Sequence, residues 1–176
     1  MDLMNAACAP AFGVDVKKLC VYIDTSVFGG CFDEEFEANS KDFFAILMSG
    51  LAVPLISDTL VAELTNAPEH VQELLAELLL HDTVRLELSE ETLELRDAYL
   101  TAGVLSLRWS DDALHVAHAT VARADVIVSW NFKHLVNPVR IRGFDDVNQV
   151  RGYQPVIIMT PADLVKTWGA TDECDA

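Results

Sequence analysis

Three acids and one amide stand at places in this sequence where chemistry is done: Asp24, Glu63, Asp112 and Asn131. The apolar run Val21-Tyr22-Ile23 climbs straight into Asp24-Thr25-Ser26, so an acid and two hydroxyls follow a strand-sized segment. A strand-terminal Asp commonly caps the next helix, and alone Asp24 would be read that way. Three carboxylates gathered without matching Lys or Arg are another matter. They repel one another unless a hard cation such as Mg²⁺ or Mn²⁺ is caged among their oxygens. Such a cation lowers the pKa of a water and stabilises charge on a phosphodiester. Thr25 or Ser26 would then position the water or the phosphate.

The elements decide whether these residues meet. Residues 19–23 read as a first strand, continuously apolar as buried parallel strands are. Further strands are predicted at 53–57, 84–88 (nearer an edge), 126–129 and 156–158. Gly29-Gly30 reads as a loop. Helices are predicted over 40–49, over 59–65 with Asp58 as cap, and over 69–80 opened by Pro68. Another runs over 90–102, capped by Ser89 and closed by Gly103. One runs from Asp112 to about Arg123 behind a Ser110 or Asp111 cap, a weaker stretch follows Asn137-Pro138, and a last helix spans Pro161 to Trp168. Strands alternating with helices make one α/β domain around a parallel sheet. With right-handed connections, Asp24 and Asn131 follow strands one and four, and Glu63 lies early in the helix leaving strand two. Asp112 opens the helix that feeds strand four, so all four reach the carboxyl edge of the sheet, where open α/β sheets bind ligands.

Taken together, the segments Tyr-Ile-Asp-Thr-Ser-Val, Val-Ala-Glu-Leu, Asp-Ala-Leu-His-Val-Ala-His-Ala and Ile-Val-Ser-Trp-Asn-Phe resemble the PIN-domain nucleases, and within them the VapC-like toxins of toxin–antitoxin pairs. The resemblance covers about residues 19–165 and rests on the order and spacing of the motifs. It implies a three-layer α/β/α sandwich with a central parallel five-stranded sheet of order 3-2-1-4-5. It also implies Mg²⁺- or Mn²⁺-dependent endoribonuclease activity, with Asp24, Glu63 and Asp112 as metal ligands and a cognate antitoxin as partner. Asn131 falls where many members carry a further Asp. An amide oxygen can ligate Mg²⁺ or orient a water but brings no charge, so this departure favours one-metal chemistry, weaker activity, or a nuclease-inactive binding or regulatory protein on the same fold. A phosphohydrolase using Asp24 as nucleophile is disfavoured, because the haloacid-dehalogenase pattern wants an Asp where Ser26 stands.

The chain has 176 residues, 51% of them hydrophobic, and a mean hydropathy of +0.24, which excludes disorder over most of its length. No apolar run approaches the roughly 18 residues of a membrane span. Met1 to Val16 carries no basic residue, unlike a signal peptide, so a cytoplasmic location is expected. Residues 1–18 read as an irregular extension, 19–168 as the domain and 169–176 as an acidic tail. Cys8, Cys20, Cys31 and Cys174 show no metal-site spacing and read as thiols. The net charge of -16 repels phosphate backbones, so a nucleic-acid enzyme of this composition needs a metal, a basic rim or a basic partner. Lys133, His134, Arg140 and Arg142 are the densest basic stretch of the second half and read either as RNA contacts or as a solvated face. His115 and His118 read as packed or exposed rather than metal-binding, Trp130 as packing, and the Leu-rich stripe 71–80 as core or a homodimer surface.

Overall fold

A computed structural model describes residues 18–172. The expected irregular N-terminal extension, Cys8 and Cys174 lie outside the described residues, apart from Lys18. Five parallel strands, β1 (Leu19–Ile23), β2 (Ala52–Ser57), β3 (Val84–Leu86), β4 (Val126–Val128) and β5 (Ile158–Met159), form one sheet in the order β3-β2-β1-β4-β5. β1 is therefore central, with Tyr22 in register with Leu55 on one side and Ile127 on the other. The fold class and strand order are as expected.

Because side chains alternate along a strand, β1 serves two cores. Val21 and Ile23 face the layer made by α1 (Thr25–Gly30), α2 (Glu37–Met48), α4 (Glu69–Leu78) and α8 (Pro161–Asp172), where Phe28, Phe43, Phe44, Leu47 and Leu78 are buried. Cys20 and Tyr22 face α5 (Glu90–Thr101), α6 (Ser110–Val121) and α7 (Pro138–Arg151), packed on Tyr99, Val116 and Phe144. Two covered faces explain the unbroken apolar runs. Val71, Leu75 and Leu78 of the stripe over 71–80 belong to the first core, with Leu74 and Leu79 packed against it, while Leu80 is exposed. No described helix is long and apolar enough to cross a membrane.

Several element ends differ from the sequence reading, each for a local reason. Gly29 and Gly30 end helix α1 instead of forming a loop. A Cβ on Gly30 would lie 2.7 Å from both Ser40 Oγ and Trp130 Nε1, so Gly here lets α1 approach α2 and the β4 exit. The cap of α3 (Asp58–Leu64) is Ser57, not Asp58: Ser57 Oγ accepts from the Leu60 amide at 3.1 Å, and Asp58 turns out to pair with Arg85. Helix α6 starts at Ser110, directly after a 3₁₀ turn over Leu107–Trp109, and has no side-chain cap. That turn supplies the chain direction a cap would otherwise set, which leaves Asp111 and Asp112 in the first turn of α6. β3 stops at Leu86. β5 begins late because the Val156 amide is taken by Asp145 Oδ1 rather than by a strand neighbour. The stretch after Asn137 is a full helix, its N-cap oxygen accepting from the amides of Val139 and Arg140. Helix α8 continues past Trp168 to Asp172.

Candidate functional site

At the carboxyl edge of β1, Asp24 leaves the sheet and caps α1, so the capping role and a site role coincide. Its side chain is 6% exposed. Oδ2 accepts from Ser129 Oγ at 2.8 Å, from Ser26 Oγ and, at 3.4 Å, from the Ser26 amide. Ser26 Oγ in turn accepts from the Trp130 amide at 3.0 Å, and Ser129 Oγ from the Asn131 amide at 2.8 Å. The two hydroxyls thus stitch the end of β1 to the end of β4 around one carboxylate oxygen. The other oxygen, Oδ1, faces His115 Nε2 at 3.9 Å.

Glu63, on α3, accepts from Thr25 Oγ1 and lies 3.1 Å from His115 Nε2. Burial pushes its pKa up, but the His115 hydrogen bond and charge, with Thr25, outweigh burial and hold it below the usual carboxylate range. His115 is 2% exposed, and its other nitrogen, Nδ1, is 2.7 Å from Tyr22 OH, which is 2.8 Å from Ser57 Oγ. Burial alone would depress the imidazole. The Glu63 bond and the charges of Asp24, Glu63 and Asp112 reverse that and raise its pKa. His115 is thus lodged among acids that favour its charged form, where the sequence suggested only a packed or exposed residue.

Asp112, in the first turn of α6, is held from the β4 side. Asn131 Nδ2 donates to its Oδ1 at 2.9 Å, and His134 Nδ1 lies 2.7 Å from its Oδ2. Asn131 Oδ1 accepts from the His134 amide at 3.0 Å, so both ends of the amide are engaged. Burial raises the Asp112 pKa; His134 opposes that rise and the Asp24 charge adds to it. The Asp24 charge is therefore felt at Asp112. The Asn131 amide does something an Asp could not do when ionised: it donates a hydrogen bond to Asp112.

The four residues singled out from the sequence are therefore brought to one edge, together with Thr25 and Ser26. Their donor set, three carboxylates with no sulfur, suits a hard cation. In this arrangement, however, no three His, Cys, Asp or Glu side chains among the described residues are gathered closely enough to hold a metal ion. Thr25 and His115 hold Glu63, while Asn131 and His134 hold Asp112.

Of the basic stretch, His134 and Lys133 reach the site, Arg140 is spent on the carbonyl of Val104, and Arg142 lies exposed on α7. Trp130 packs as expected, stacking on Phe36 and donating to Ser40 Oγ at 2.9 Å. Sequence reasoning missed Ser129, Tyr22, Ser57, Trp109 and the role of His115. Ser129 alone carried a local signal, being a hydroxyl at the end of a strand.

His118, one turn beyond His115, stacks on Tyr22 and shares a 2.9 Å hydrogen bond with Thr59 Oγ1. Burial and the nearby His115 charge push its pKa down to about 4. The unfolded chain takes up this proton near pH 6.5 and the folded protein only near pH 4, so stability falls as pH drops through that window. The loss is on the order of 2–3 kcal/mol by pH 4. Thermal denaturation from pH 7 to pH 4 should show this acid limb, and His118→Gln should flatten it.

With the geometry in hand, comparison with solved structures gives a match. The crystal structure of VapBC2 from Rickettsia felis bound to a DNA fragment from their promoter aligns with a TM-score of 0.51, covering 81% of this chain and 98% of that one. The fold is PIN-like. At 13% identity the likeness is one of architecture. No protein-family model matches the sequence, and no curated protein matches it.

Proposed function

We propose that the protein is a metal-dependent endoribonuclease of the VapC-like kind, with a cognate antitoxin as partner. The observation that supports this reading is that Asp24, Glu63 and Asp112 all act on one imidazole, His115, at the carboxyl edge of the central strand, in a sheet of order β3-β2-β1-β4-β5. The complex named in the structural neighbour, VapBC2, supports the partner.

Asp24, Glu63 and Asp112 would hold Mg²⁺ or Mn²⁺, which when bound supplies an activated water and neutralises charge at the scissile phosphate. The protein's own contribution is preorganisation. Ser26 and Ser129 fix the Asp24 carboxylate, and Asn131 with His134 fixes Asp112, so neither must reorganise during reaction. Thr25 holds Glu63 and would position the water or the phosphate. No side-chain nucleophile is required, and cleavage by water leaves a 5′-phosphate and a 3′-hydroxyl.

The test is cleavage of a mixed-sequence RNA by the purified protein with Mn²⁺ or Mg²⁺ against EDTA. Cleavage is expected only with metal, and none under any of the three conditions overturns the reading. A second reading, a nuclease-inactive binding protein on the same fold, is favoured by Asn131, whose side chain is engaged at both ends. A Mn²⁺ titration followed by thermal denaturation separates the two. Binding at a hundredfold excess over Kd stabilises by about 2.7 kcal/mol. Stabilisation with cleavage supports the nuclease; stabilisation without it supports the second reading.

A further inference from the structure

Beside Asp112, on the side away from Asp24, a cleft of about 420 Å³ opens between the 3₁₀ turn that starts α6 and the loop after β4. Two cations line it and both lie against one indole. Arg108 Cζ is 5.1 Å and Lys133 Nζ 4.9 Å from the centre of the Trp109 ring. Among the described residues neither cation has a carboxylate within ion-pairing distance, although Asp111 and Asp112 line the same cleft. In a chain with 28 acids and 12 Lys and Arg, two adjacent cations left without an acid invite an anion from outside. The ring faces are already occupied by these cations and by His134, whose ring centre is 4.2 Å away, so the indole acts as a plank for charges rather than a platform for a base. Cation–π contact holds two long side chains that would otherwise lose conformational entropy on binding.

We propose that Arg108 and Lys133, braced on Trp109, form a phosphate-binding subsite that seats the backbone of single-stranded RNA next to Asp112. The proposal rests on the ribonuclease reading for its choice of polyanion. It accounts for how a protein of charge -16 admits a phosphodiester: the basic rim is local and lies beside a carboxylate of the site. His134 couples the two, touching Trp109 with its ring and Asp112 with Nδ1.

The test is fluorescence anisotropy with a labelled single-stranded oligouridine in EDTA, where binding is read without turnover. The double variant Arg108→Gln/Lys133→Gln should bind about tenfold more weakly at low salt. Its slope of log affinity against log salt should be shallower by about 1.4, the value for two lost phosphate contacts on a single strand. Lys133→Arg should retain binding. The control Lys18→Gln/Lys166→Gln removes the same charge from exposed positions elsewhere and should stay within about twofold of wild type. A double variant no weaker than this control, or a wild-type protein that does not bind the RNA, overturns the subsite. A protein that binds as described but cleaves no RNA with Mn²⁺ keeps the subsite and loses the nuclease reading, so the two failures are distinguishable.

Discussion

Asp24→Asn is expected to lower Mn²⁺-dependent RNA cleavage by more than about a hundredfold while leaving the fold intact. Substitutions of groups that merely orient metal ligands already cost 10- to 100-fold, and Asp24 is placed here as a ligand itself. The variant keeps the shape of the side chain, and an amide oxygen can still accept from Ser129 Oγ, Ser26 Oγ and the Ser26 amide. The cap of α1 therefore survives. What is lost is a buried negative charge beside Asp112, and the Asp24 charge is one of the causes that raise the Asp112 pKa. The lost attraction between Asp24 and His115 offsets that relief, so stability in EDTA should be little changed. Lost activity with undiminished stability is the signature of a carboxylate kept for function rather than folding, and equal cleavage by the variant would sink the assignment. The readouts are gel-resolved cleavage rates and denaturation in EDTA.

His115→Leu should behave in the opposite way. The imidazole stands 3.1 Å from Glu63 and 3.9 Å from Asp24, with only 2% of its side chain exposed. Removing one partner from a buried ion pair costs about 3–5 kcal/mol; because Glu63 is 32% exposed and partly screened by water, about 2 kcal/mol is the better expectation. Tyr22 OH keeps Ser57 as its partner, which limits the damage to the acid cluster. If a divalent cation replaces the imidazole among the carboxylates, saturating Mn²⁺ should close most of the gap between variant and wild type. Chemical denaturation of both proteins in EDTA and in Mn²⁺ measures this. A gap that is equal in the two conditions would make His115 a core residue with no link to metal binding.

Both expectations depend on contacts that were only partly legible in the sequence. The short continuous apolar runs and the Gly, Pro and Ser punctuation placed five strands and most helices, because backbone preferences are local. The same logic brought Asp24, Glu63, Asp112 and Asn131 to one sheet edge, since right-handed crossovers leave little choice of where strand ends go. Element ends were read less well. Whether Ser57 or Asp58 caps α3 depends on which oxygen points at Leu60, and Ser57 is drawn inward by Tyr22. The late start of β5 depends on Asp145, eleven positions away in sequence.

The amino-acid order by itself determined the α/β class, the parallel sheet and the gathering of acids, because periodicity and chain connectivity are properties of the chain. Only the tertiary structure decided what those acids touch. His115 reads as one more polar residue on an Ala-rich helix, yet its imidazole stands against both Glu63 and Asp24. Asn131 reads as a missing acid, yet it is a donor to Asp112 and an acceptor from His134. Arg108 and Trp109 are separated from Lys133 by the whole of α6 and β4 and meet it only when the 3₁₀ turn and the β4 exit loop fold against each other. Hydrogen bonds and charge pairs depend on ångström distances between residues far apart in sequence, and those distances exist only once both faces of the sheet are packed.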